Sequence, residues 1–203
     1  DPAVMAWLQD QSRKGATIIG VCAGAKVVGA AGLLDGRRAT THWYYLGEML
    51  ERNPTIEYVA DRRMVADGNV VTTTGITAAM PMMLALIEAI AGPEKAEAVA
   101  RDVGVEAWDM RHVSGAFKLT RPFATRVLAN RMAFWNREDW GIELEADMDE
   151  VSLAMIADAW SRTYRSQAVT FAQVSSAIAT ANGVRILPDR VEEGWPEDRI
   201  WIN

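Results

Sequence analysis

Cys22 is the single cysteine in a chain of 203 residues, and its neighbours decide what chemistry its sulfur can do. It directly follows the apolar run Ala16-Thr17-Ile18-Ile19-Gly20-Val21 and directly precedes the small-residue stretch 23–32, AGAKVVGAAG. The run reads as a parallel strand covered on both faces, and the stretch as a helix packed tightly against it. A thiol at such a junction sits on a sharp turn, with the amides of the following helix aimed at the sulfur. Both features favour thiolate and expose it above the carboxyl edge of the sheet, where α/β folds bind ligands. Gly20, Cys22 and Gly24 repeat the glycine-x-nucleophile-x-glycine spacing of the hydrolase serine elbow, whose tight turn leaves little room for side chains. The competing reading is a buried structural cysteine at a strand end, because free cysteine packs as a small hydrophobe.

The elements that must hold this junction follow from periodicity and punctuation. Apolar positions at Val4, Met5, Trp7 and Leu8 predict that the chain opens inside a helix lying on a sheet, broken by Gly15. Residues 44–51 read as a short helix and Thr55 to Ala60 as a strand. Asp67-Gly68 is a turn signal, followed by the β-branched run Val70-Val71-Thr72-Thr73-Thr74. Gly75 opens an apolar helix over 77–91, with Met80, Met82, Met83, Leu84 and Ile90 read as core, and Gly92-Pro93 closes it. Residues 94–140 look helical and amphipathic, with Trp108, Trp135 and Trp140, and read as a bridging segment. From 141 an α/β pattern returns. Residues 141–145 alternate like a strand, Val151 to Ser161 is a helix with Leu153, Ile156, Ala157 and Trp160 inward, and Gln167 to Ala172 is a further strand. Residues 183–189 read as an edge strand before an irregular acidic tail. The expected organisation is 1–93, 94–140 and 141–203.

Residues 20–43, GVCAGAKVVGAAGLLDGRRATTHW, closely resemble the nucleophile region of the ThiJ/PfpI family, with its class I glutamine amidotransferase-like fold, and the likeness continues through residues 67–79, DGNVVTTTGITAA. It covers about residues 3–92. The resemblance implies an α/β fold with a flavodoxin-like parallel sheet and helices on both faces. It also implies that Cys22 is the elbow cysteine and His42 the histidine near it, either accepting the thiol proton or holding the thiolate as imidazolium. A satisfied helix-start histidine beside Trp43 is the alternative for His42. The amides of Ala23 and Gly24 would form the oxyanion pocket, and residues around Trp43 and Gly75 would shape it. Some relatives carry threonine where this chain has Ala23, which removes any hydroxyl assistance there.

The family's opening βαβ unit, with the acid that hydrogen-bonds the cysteine, has no counterpart ahead of residue 1, so the nucleophile strand is expected to have an uncovered neighbour. Residues 141–189 are similar to such a unit in degenerate form. On that alignment Ser152 stands at the acid's place, with Asp149 and Glu150 the nearest carboxylates. Two arrangements follow, a permuted sheet completed within the chain or a piece of a longer protein, and the serine favours the second. The expected partners are a small-molecule ligand and either a second copy or a separate N-terminal fragment completing the sheet.

Composition bounds the rest. With 27 acidic against 21 basic residues, a net charge of −6 argues against a clustered basic grip on nucleic acid. No run of apolar residues is long enough to cross a membrane, and the cytoplasm is the expected compartment. One thiol excludes an intrachain disulfide, and His42 and His112 are the only histidines, so no metal site and no cofactor is expected. Arg37-Arg38 and Arg62-Arg63 are basic pairs that read as solvated surface. The function expected is a cysteine-dependent hydrolase, hydratase or lyase acting on a small carbonyl- or amide-type substrate, with a non-catalytic ligand- or redox-sensing domain as the alternative.

Overall fold

A computed structural model describes residues 1–75 and 78–195 and the backbone of 200–202. The chain divides into two compact units, Asp1–Leu119 and Thr120–Asn203, a division that falls inside the segment 94–140.

In the first unit, α1 spans Pro2–Arg13, capped by the Asp1 carboxylate accepting from the Ala3 N–H at 2.8 Å. Strand β1 is Ile18–Gly20, α2 is Gly24–Ala30, and β2 is the two-residue strand Arg38–Ala39. A 3-10 turn at Trp43–Tyr45 leads into α3, Leu46–Arg52, followed by β3, Glu57–Tyr58. Strands β4, Met64–Asp67, and β5, Val70–Thr73, form a hairpin about Gly68, whose φ of +59° suits glycine. Helix α4 is Ala79–Ala91 and stops at Gly92 with φ +86°; Pro93 then starts α5, Pro93–Asp102. Of the expected helix over 77–91, residue 77 lies outside the described residues.

The sheet order is β1-β5-β4, with β1 and β5 parallel in the register Ile18↔Val70 to Gly20↔Thr72, and β4 antiparallel. Ile18, Ala25, Val28, Leu34, Ala39, Met49, Ile56 and Val70 form the core. The α/β class with a parallel strand pair under helices is therefore as the sequence indicates. Strand β1 stands at the edge of its sheet among the described residues. Consistent with that, no residue of α1 is fully buried, and Val4 and Trp7 of its apolar stripe are 44% and 59% exposed. The methionine helix is only half core: Met82 and Leu84 are buried, whereas Met83 and Ile90 are exposed.

Residues 103–120 are not helical apart from a 3-10 turn at Ser114–Ala116, which corrects the expectation of a helical segment across 94–140. Gly104, at φ +70°, ends α5, and the stretch after it has no 3.6-residue apolar repeat.

The second unit begins with α6, Arg121–Met132, capped by Thr120. Strand β6 is Glu138–Glu143, α7 is Glu150–Ser161 and β7 is Ser166–Ala172. Short strands β8, Ile178–Ala179, β9, Arg185–Ile186, β10, Arg190–Val191, and β11, Ile200–Ile202, follow. The sheet order is β10-β7-β6-β11, every pair parallel. Leu153 is buried against Ile142, Leu144 and Ala172, with Ile156 and Ala157 packed on them, and Trp160 stacks on Trp140 with centroids 3.5 Å apart. Of the expected edge strand over 183–189 only Arg185–Ile186 is strand, pairing antiparallel with β8; beyond Pro188, which cannot donate to a ladder, a separate strand Arg190–Val191 pairs with β7.

Candidate functional site

The turn between β1 and α2 is sharp because of one residue. Cys22 has φ +55°, in the left-handed region where a side chain other than glycine costs about 1–2 kcal/mol. Two distant hydroxyls fix it there. The Cys22 N–H donates to Thr73 Oγ1 at 3.1 Å, and Thr41 Oγ1 donates to the Cys22 carbonyl at 3.1 Å. Neither threonine stands out in the sequence, where 70–74 reads only as a β-branched strand and 39–41 as a link. Their alignment with the elbow depends on the β1–β5 register, which is a tertiary fact. Thr40, Thr41, Thr72, Thr73 and Thr74 are all buried beneath the turn, and Thr40 donates its N–H to Thr72 Oγ1 at 2.9 Å. The Thr40 hydroxyl itself has no hydrogen-bond partner among the described residues.

The two flanking glycines play different parts. A Cβ on Gly20 would stand 3.0 Å from the Ala25 Cα and from Val28 Cγ2, so glycine lets α2 close onto β1. A Cβ on Gly24 would meet no described atom within 4 Å, so the elbow requires glycine on the strand side only. The amides also differ. The Gly24 N–H donates to the Val21 carbonyl at 2.8 Å and that of Ala25 to the Cys22 carbonyl at 3.3 Å. Gly24 therefore has its amide engaged, whereas the Ala23 N–H has no acceptor among the described residues. Helix α2 has no side-chain cap, so nothing else in its first turn competes for an incoming oxygen.

Cys22 is half-buried, and its sulfur accepts or donates no hydrogen bond among the described residues. It is not sealed in apolar packing. His42 lies one residue after Thr41, which holds the elbow, and its ring packs against the backbone of Gly75: a Cβ there would fall 2.8 Å from Cδ2. His42 Nδ1 accepts from the Tyr44 N–H at 3.2 Å, opening the 3-10 turn. Trp43 packs beside it, ring centroids 5.4 Å apart. The structure thus brings Cys22, Ala23 and Thr41 together at the elbow, and His42, Trp43 and Gly75 together beside it.

In the second unit, Asp149 caps α7: its Oδ1 accepts from the Ser152 N–H at 2.6 Å, and bonds from the Ser152 side chain and amide hold its carboxyl below the usual carboxylate range. Among the described residues no three His, Cys, Asp or Glu side chains gather to hold a metal ion, and no helix is long and apolar enough to cross a membrane.

Residues 1–89 match the model of the DJ-1/PfpI family. The chain is 39% identical over 99 residues to the HTH-type transcriptional regulator CdhR of Pseudomonas aeruginosa, a match covering 49% of this chain and 29% of the regulator. It is 38% identical over 100 residues to an isonitrile hydratase of Pseudomonas putida, covering 49% of this chain and 42% of that enzyme. The crystal structure of Drosophila melanogaster DJ-1beta matches with a TM-score of 0.47 and 30% identity, over 53% of this chain and 56% of that one. The chain spans less than half the length of these two curated relatives.

Proposed function

Proceeding from residues 1–89 as a segment of the DJ-1/PfpI family, we propose that Cys22 is a reactive thiol serving hydrolysis, hydration or lyase chemistry on a small carbonyl- or amide-type electrophile. The observation that carries this reading is the elbow itself: Cys22 is held at φ +55° between β1 and α2, next to an Ala23 N–H with no acceptor of its own. Attack by sulfur on an sp² carbon moves the π electron pair onto the heteroatom, and the Ala23 N–H is placed to donate to it. His42, whose Nδ1 accepts from the Tyr44 N–H, would steady the thiolate or the developing charge, with Trp43 and Gly75 shaping the space around it. Similarity to an isonitrile hydratase over the same residues supports an electrophile of modest size.

The test is thiol reactivity. Iodoacetamide near neutral pH should label native Cys22 about tenfold or more faster than the same residue in denaturant, and Cys22→Ser should abolish labelling and turnover together. Equal native and denatured rates would defeat the reading.

A second reading, a ligand-sensing domain without turnover, is supported by the likeness of this segment to the regulator CdhR. Here a ligand would bind and leave unchanged, and NMR of a recovered ligand separates the two. In either case the unpaired outer edge of β1 and the exposed Val4 and Trp7 support a partner strand beside β1, supplied by a second copy or a separate segment.

A further inference from the structure

Arg62 and Arg111 stand directly opposite each other in an isolated antiparallel bridge of the first unit. The hydrogen bonds of that bridge run outside the pair, from the Arg63 N–H to the Met110 carbonyl at 2.9 Å and from the His112 N–H to the Asp61 carbonyl at 3.2 Å. The two arginines are therefore the non-hydrogen-bonded pair, the closer of the two kinds, and their side chains leave the ladder on one side. Like charges so placed repel, which leaves unexplained why two arginines stand opposite each other. Both line one cavity of about 500 Å³, with Ala60, Asp61, His112 and Val113.

The charges around it do not cancel the repulsion from within. Arg62 makes no hydrogen bond or ion pair among the described residues. Arg111 pairs only with Asp109 at 3.0 Å, an exposed contact along the same loop. The Asp61 carboxylate is engaged by the loop, its Oδ1 accepting from the Ser114 N–H at 2.8 Å while its own N–H donates to Ser114 Oγ at 2.9 Å. The His112 ring stacks on Phe117 with centroids 4.9 Å apart and 14° between planes, which uses its face and leaves its edge nitrogens for polar contact.

We propose that this cavity binds a small oxyanion, with the guanidinium groups of Arg62 and Arg111 gripping its oxygens and the imidazole of His112 donating to it. Planar forked donors suit the oxygens of a carboxylate or phosphoryl group. The site stands at the same edge of the sheet as the elbow, since the Thr74 N–H donates to the Arg63 carbonyl while the adjacent Thr73 hydroxyl accepts from Cys22. It does not depend on Cys22 being reactive.

The experiment follows the two histidine side chains by NMR while the full chain is titrated with inorganic phosphate, and separately with acetate, at constant ionic strength. The expected result is a saturable shift of His112 with His42 unmoved, unchanged in Cys22→Ser, and the tighter of the two probes names the group recognised. Arg62→Gln and Arg111→Gln should each weaken binding about tenfold or more, the usual loss with a charge-assisted hydrogen bond. Asp109→Asn, which keeps the amide acceptor but frees Arg111, should tighten it, a gain that misfolding cannot imitate. No shift of His112, a shift that survives Arg62→Gln, parallel movement of both histidines, or no gain from Asp109→Asn would each overturn the proposal.

Discussion

Two of the chain's passages from the carboxyl end of a parallel strand into a helix are built in opposite ways. From β1 to α2 the turn is short, its pivot is a cysteine at φ +55°, and the helix begins without a side-chain cap, leaving the Ala23 N–H open. From β6 to α7 the connection is longer, the left-handed position falls on Asp147, and Asp149 caps the helix. A residue such as aspartate tolerates that backbone because its short polar side chain can bond locally. The second junction therefore satisfies its own amides and is fitted for stability. The first leaves the Ala23 N–H without an acceptor among the described residues, next to Cys22, and it is on this that the proposed chemistry rests.

The largest effect expected is at the pivot. Cys22→Gly should remove all thiol labelling and any turnover, yet raise stability by about 0.5–1 kcal/mol, because glycine accepts positive φ without the steric cost. Thermal denaturation alongside labelling checks both halves, and a destabilised glycine variant would mean that the cysteine side chain packs as structure. Next, Gly20→Val should destabilise the first unit by about 1–3 kcal/mol by driving a side chain into Ala25 and Val28. Gly24→Ala, with open space around it, should be nearly silent in denaturant unfolding. If the two glycines cost the same, the asymmetry of the elbow is wrong.

A smaller effect is expected from Gly75→Ala, whose Cβ would push the His42 ring aside. It should slow native alkylation of Cys22 severalfold while leaving the circular dichroism spectrum intact. An unchanged rate would separate His42 from the thiol. The smallest effect belongs to the other junction. Asp149→Ala should lower the melting temperature of the second unit modestly at neutral pH and leave Cys22 labelling untouched. Because the folded carboxyl titrates below its usual range, its contribution is complete above the ordinary carboxylate pKa and fades as pH falls through the depressed value. Wild type and variant should therefore converge in acid, as thermal scans across pH would reveal.

Much of this contrast is legible in the residues, and what is not has a physical reason. The β1 run, Cys22 and the small-residue helix α2 are local signals, so the elbow is visible before any coordinates. Strand β4 is not, because Met64–Asp67 lacks a β-branched run and becomes a strand only by pairing with β5 across the Asp67-Gly68 turn. The two-residue strands β2 and β3 are too short to show a period. At the site, Cys22, His42 and Gly75 are marked by type and motif. Thr41 and Thr73 are invisible because their role comes from register, and the bond from the Gly24 amide to the Val21 carbonyl is likewise visible only in the fold. Arg62 reads as solvated surface charge and Arg111 carries no signal, since nothing in the chain order announces that an antiparallel bridge sets the two opposite each other.

The threonine hydroxyls that pin the elbow come from two different strands or links of the first unit, and the sulfur they position is the sole thiol of the chain. A fluorophore attached there would occupy one defined address without any engineered mutation. Its emission would sense the moment β5 parts from β1, making native residue 22 a ready-made reporter for watching this unit open and refold in real time.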